Sequence, residues 1–265
     1  MELTCFHAFW GMNGTLRDKF ERAAQHGYDG IEAPLPTPDE ENEFIELKEE
    51  LGLAYIPQIF TNGDHEESFL QQVEQAIKYH PVLINSHSGK DYWNEDMQDQ
   101  FFAHAIQVEK TYGTPIGHET HRGRTMFSPW STARLLRKFP DLRVTADFSH
   151  FTCVCESLLH DQEEDMALVM DRTIHLHARI GFEEGPQVAH PAAPEYAMAL
   201  ERFEHWWDTV FKARQDEGCR ILTMTPEFGP PGYMPTVPFT HQPLADLFEV
   251  NHWMANRVKD RFSRI

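Results

Sequence analysis

Glu119, Asp147, His177 and Glu227 are three carboxylates and one imidazole, each placed where a short apolar run gives way to a loop. If they meet, they form a set suited to one divalent cation. Their oxygen-rich character favours Mn²⁺, Mg²⁺ or Co²⁺, and the same four would also hold Zn²⁺. A cation so placed polarises a carbonyl oxygen and makes the neighbouring C–H acidic, and a carboxylate nearby can remove that proton. More polar residues stand at comparable places: His7, Glu32, Gln58, His87, His121, His150 and Arg179. A lone polar residue at a strand end is usually a helix cap or loop anchor. Eight segments ending this way point to one shared pocket.

Elements that repeat along the chain are needed to bring residues so far apart together. Short apolar runs alternate with helical patterns throughout, which predicts repeated βα units and a parallel sheet. The strand segments lie at 3–9, 28–33, 53–60, 81–87, 114–120, 142–148, 173–180 and 220–228. His175 and His177 lie two apart on one of them, so they share a side; His177, nearer the carboxyl end, is the expected ligand and His175 a deeper hydrogen-bonded residue. Between strands, capping signals mark helix starts. Thr37, Pro38 and Glu40 read as cap, first turn and capping box, with Gly52 as the stop. Ser128 and Pro129 repeat the device. Leu16, Phe20, Ala23, Ala24 and Gly27 follow the stripe of a helix packing one face on a sheet. Eight such units in 265 residues predict a single (β/α)8 TIM barrel over residues 1–265. The competing doubly wound sheet lacks a Gly-x-Gly-x-x-Gly turn after the first strand. In a barrel the active site forms at the carboxyl ends of the strands, where the polar residues are.

Bulk properties narrow the partners. With 23 Lys and Arg against 42 Asp and Glu the net charge is −19, which disfavours nucleic acid. The start of the chain lacks signal-peptide character and no run is long enough to span a bilayer, so a cytoplasmic protein that does not engage a membrane is expected. The four cysteines are scattered and read as reduced thiols. Trp10, Tyr92, Trp93, Trp130, Phe151, Phe182, Tyr233 and Phe239 fall in or beside loops, where they can stack on the C–H face of a sugar, cover the barrel mouth or form a subunit contact. Residues 183–195 read as a mobile cover and 229–243 as a proline-stiffened loop.

The motifs HETH at 118–121, DFSH at 147–150, IHLHAR at 174–179 and PEFGP at 226–230 resemble the xylose isomerase-like TIM-barrel superfamily, in particular sugar isomerases and epimerases of the D-tagatose 3-epimerase type. The resemblance runs over roughly the whole chain. It implies one divalent metal on Glu119, Asp147, His177 and Glu227, with His150 beside the substrate and Arg179 contacting it, although Arg179 follows His177 more closely than in typical epimerases. His87, His121, Glu32 and His7 complete the expected substrate-facing set. The implied reaction is isomerisation or epimerisation of a sugar or polyol by proton transfer through an enediolate, with Glu119 and Glu227 as the acid/base pair. An inosose-type dehydratase of the same fold, or a metal-dependent carbohydrate-binding protein without catalysis, would use the same ligands. A homo-oligomer is compatible with either. Endonuclease IV, a similar barrel that uses a zinc cluster, is disfavoured by the charge balance.

Overall fold

The computed structural model describes residues 1–265. All eight expected strands form: β1 (Glu2–Ala8), β2 (Gly30–Pro34), β3 (Ala54–Phe60), β4 (Ile84–His87), β5 (Ile116–Glu119), β6 (Arg143–Ala146), β7 (Thr173–His177) and β8 (Ile221–Thr225). They pair in parallel and in chain order, and β8 closes on β1. The architecture is a (β/α)8 TIM barrel. Outside it run α1 (Leu16–Gln25), α2 (Glu41–Glu50), α3 (His65–Ala76), α4 (Glu95–Tyr112), α5 (Pro129–Lys138), α6 (Phe148–Cys155), α7 (Glu163–Asp171), α8 (Ala197–Asp216) and α9 (Leu247–Phe262). No helix is long and apolar enough to cross a membrane.

Local chemistry sets the helix starts. Ser128 accepts from the Ser131 amide with Pro129 in the first turn, as the sequence predicts. Thr15 and Asp18 form a full capping box on α1. The expected box at α2 differs. Thr37 spends its hydroxyl and amide on the Glu40 carboxylate, at 2.7 and 3.3 Å, so residues 37–40 close a turn and the helix begins only at Glu41. The Glu40 amide bonds the Thr37 carbonyl, at 2.9 Å, and not its hydroxyl.

Strand alternation divides the apolar residues. Between sheet and helices lies one cluster of 52 buried apolar side chains, including Trp206, Trp207, Phe101 and Phe211. Inside the barrel only Phe6, Ile56 and Leu83 form an apolar plug, towards the amino ends of the strands. Two positions past Ile56 stands Gln58, and two and four past Leu83 stand Asn85 and His87, so this part of the interior turns polar towards the carboxyl ends.

Candidate metal centre

Ligand atoms of Glu119, Asp147, His177 and Glu227 all lie within 4.8 Å of one another, and all four residues are buried. Each stands at or just beyond the end of one of the four last strands, on the inward side of its pleat. His177 presents Nδ1 to the carboxylates, 2.9 Å from Glu227 Oε2 and 3.7 Å from Glu119 Oε1. Its other nitrogen, Nε2, is 2.9 Å from Glu32 Oε1. A carboxylate behind a ligating imidazole fixes which nitrogen faces the site and how the ring is turned. Glu32 is itself held by His175 at 3.1 Å, by Asn85 at 3.0 Å and by Gln58 at 3.3 Å. His175, bonded to Thr223 at 2.7 Å, is the deeper residue expected.

Each of the three carboxylates is held through one oxygen and turns the other towards the cluster. Glu119 receives Asn85 at 2.7 Å and lies 2.8 Å from His87, both through Oε2. Its Oε1 is buried and makes no hydrogen bond, and neither does His177 Nδ1. Glu227 accepts from Gln58 through Oε1 at 3.1 Å. Asp147 caps α6 by accepting from the Ser149 amide and hydroxyl, at 3.0 and 2.5 Å, through Oδ1. Its Oδ2 meets the buried Arg179 guanidinium. Two orphaned buried atoms facing an oxygen-rich cluster fit a divalent cation, since a buried polar atom without a partner is costly.

Electrostatics separate the carboxylates. Burial pushes Asp147 up to about 6, against Arg179 and with the help of Glu227. Burial also acts to raise Glu119 and Glu32, but the histidines beside them, His87 and His177 for the one and His177 and His175 for the other, outweigh it and hold both well below the usual carboxylate range. For His177 the balance runs the opposite way: burial disfavours its charge, yet Glu227, Glu32 and Glu119 raise it well above its ordinary value. Burial pushes His121 down to about 3 and, with His121 and Arg179 adding to the effect, drives His150 far down. The site therefore joins an anionic floor to neutral imidazoles on one wall.

A family model described as xylose isomerase-like TIM barrel matches residues 20–179, more than half of the chain. The chain belongs to the xylose isomerase-like TIM barrel family. A sequence search of curated proteins found no match. Among solved structures this xylose isomerase-like barrel is similar to the probable 3-DHS dehydratase AsbF of Bacillus anthracis, with 13% identity, a TM-score of 0.63 and coverage of 97% of this chain and 99% of the other. A sugar phosphate isomerase/epimerase from Parabacteroides distasonis ATCC 8503 gives 13% identity, a TM-score of 0.63 and 97% and 93% coverage. A D-tagatose 3-epimerase-like protein gives 13% identity, a TM-score of 0.61 and 100% and 97% coverage. At such identity these likenesses speak for the fold alone.

The family's barrel sorts the expected substrate-facing residues into three groups. His87, His121 and Arg179 line the central cavity beside Glu119 and Glu227. Glu32 and His150 lie one layer behind it. Glu32 is spent on the two strand-β7 histidines. His150, fully buried, packs its ring 3.9 Å from His121 and lies 2.9 Å from Arg179. His7 is outside. Because Phe6 points into the plug, the next residue on β1 points out, and His7 packs between Tyr28 and Phe248 at 4.6 and 5.3 Å. Of the loop aromatics, Trp10 and Tyr233 reach the cavity, whereas Phe151 is core and Phe239 is 98% exposed. Trp10 fits against Gly229 so closely that a Cβ there would lie 2.1 Å from the ring. Residues 183–195 are tied down rather than loose at Gln187, which exchanges bonds of 3.1 and 2.7 Å with the Gly229 backbone. Asn85 and Ser149 are site residues that pattern reading missed. Asn85 was findable, two positions before His87 on the same strand.

Proposed function

We propose that this protein is a metal-dependent isomerase or epimerase that moves a proton on a carbon next to the carbonyl of a sugar or polyol. The convergence of the Glu119, Asp147, His177 and Glu227 ligand atoms within 4.8 Å carries this reading. Those four residues would hold one divalent cation, with Mn²⁺, Mg²⁺ or Co²⁺ favoured by the oxygen-rich set and Zn²⁺ admissible. When bound, such a cation supplies Lewis acidity to a carbonyl oxygen.

The chain's own groups do the rest. Glu119 and Glu227 come from separate strands, β5 and the end of β8, so one carboxylate can take a proton from a carbon that the other faces from a different side. Asn85 bonds Glu119 through Oε2, with His87 beside it, and leaves Oε1 without a hydrogen bond, while Gln58 holds Glu227 through Oε1 and its Oε2 faces His177 Nδ1 at 2.9 Å. Arg179, buried and paired with Asp147, presents fixed positive charge where an enediolate oxygen develops negative charge. His150 positions Arg179 and His121; His121, held neutral by burial, lines the cavity together with His87.

The test is a panel of hydroxyketones in D2O with the Mn²⁺-loaded protein. Solvent deuterium should enter the carbon next to the carbonyl, and Glu119→Gln and Glu227→Gln should each abolish epimerisation while retaining part of the exchange at matched metal occupancy. Loss of water from the substrate instead would favour the dehydratase reading. Binding without exchange in any case would favour a carbohydrate-binding role.

A further inference from the structure

The cavity is two-sided. Its volume is about 510 Å³, within the range of small-molecule sites. The inner end is the anionic floor with His87 and Arg179. From there it runs outward between the loops that follow β1 and β2, and that stretch is walled by Phe9, Trp10, Leu16, Leu35 and Phe44. The polar side chains along it, Lys19, Thr37 and Glu40, are exposed or half-exposed, and the Thr37 hydroxyl is already bonded to Glu40. Laid along this wall, the distal hydroxyls of a free ketohexose would give up water and, short of the exposed rim with Lys19 and Glu40, meet apolar side chains instead. An apolar body would gain by the same move.

We propose that the substrate carries, next to its oxygenated carbons, an apolar ring or alkyl body that lies on Phe9, Trp10, Leu16, Leu35 and Phe44. The assignment rests on the preceding reading for the place of the oxygenated end. Trp10 joins the two halves: its ring lies 5.8 Å from the Arg179 guanidinium and also forms part of the apolar wall. The cavity is continuous with the ligand cluster, which makes a substrate its occupant rather than another chain.

Three ligands that share one hydroxyketone head separate the halves: hydroxyacetone alone, hydroxyacetone extended by a phenylethyl arm, and fructose. Their binding to the Mn²⁺-loaded protein is measured by calorimetry, and carbon-bound deuterium exchange is followed separately. The phenylethyl ligand should bind at least about tenfold more tightly than fructose. Leu35→Asn, in a loop, should weaken it by about tenfold and leave hydroxyacetone unchanged; Leu16→Gln, in a different element, should do the same if the first variant folds poorly. Tight binding of the phenylethyl ligand without exchange would sink the proton-transfer reading and leave this assignment standing. Fructose binding as tightly, failure of the phenylethyl ligand to bind, or a ligand preference unmoved in folded variants would overturn it.

Discussion

The two faces of the barrel sheet have been given to different tasks. On the outer face the strands pack against the helices through 52 buried apolar residues, with aromatic pairs such as Phe203–Trp206 at 4.9 Å. On the inner face the apolar layer is three residues deep in total, and above it Glu32, Glu119, Asp147, His175 and His177 are all buried. Burying apolar surface stabilises, whereas burying charges in this number roughly breaks even at best. The outer face therefore holds the fold, and the inner face is carried by it. Such an interior is worth its cost only for the chemistry it permits.

The comparison can be broken most forcefully at Asp147, which belongs to both sides because it caps α6 and neutralises buried Arg179. Asp147→Ala should lower stability by about 3–5 kcal/mol through the unpaired guanidinium, with about 1 kcal/mol more from the lost cap, in urea unfolding of the EDTA-treated protein. It should also abolish cation binding. Trp206→Ala, wholly on the outer face, should cost about 3–5 kcal/mol and leave cation affinity unchanged. A parallel loss of affinity in that variant would erase the division.

His7 sharpens the comparison by pH. Burial between β1 and the helices holds it down to about 4 from its ordinary 6.5, so the unfolded chain takes up its proton first as pH falls. Stability should be full above about pH 6.5 and decline towards about pH 4, by up to about 3 kcal/mol from this residue. Unfolding of His7→Phe at the two ends of that window should show a flatter decline than the parent, with no change in cation affinity. The smallest effect is expected at Glu32. Glu32→Gln removes the carboxylate behind His177 and should weaken cation binding by about 10–100-fold with little change in melting temperature.

Much of this was legible in the sequence because barrel units repeat. Eight apolar runs, each closing on a polar residue, suffice to place Glu119, Asp147, His177 and Glu227 at one mouth. Pattern reading loses resolution at one residue. His7 looks like a strand-end residue until Phe6 is known to face the plug, since a shift of one position turns every side chain to the other face. Depth is lost as well: Glu32 and His87 look alike in sequence, but one orients a ligand from below and the other lines the cavity. The apolar wall was invisible because Phe9, Leu35 and Phe44 come from three elements whose separation only the fold defines. Glu40 shows a local limit, as its capping motif is present but is spent on a turn.

The contact between Trp10 and Gly229 crosses the seam where the last strand meets the first. Trp10 follows β1, Gly229 follows β8 beside Glu227, and Gln187 of the preceding loop bonds the same glycine. During synthesis, a chain that has not yet emitted its eighth strand lacks a ligand, the roof of the pocket and the surface against which the indole settles. If the four residues hold a cation as proposed, its binding should therefore require a closed ring, with the eighth strand and its loop in place.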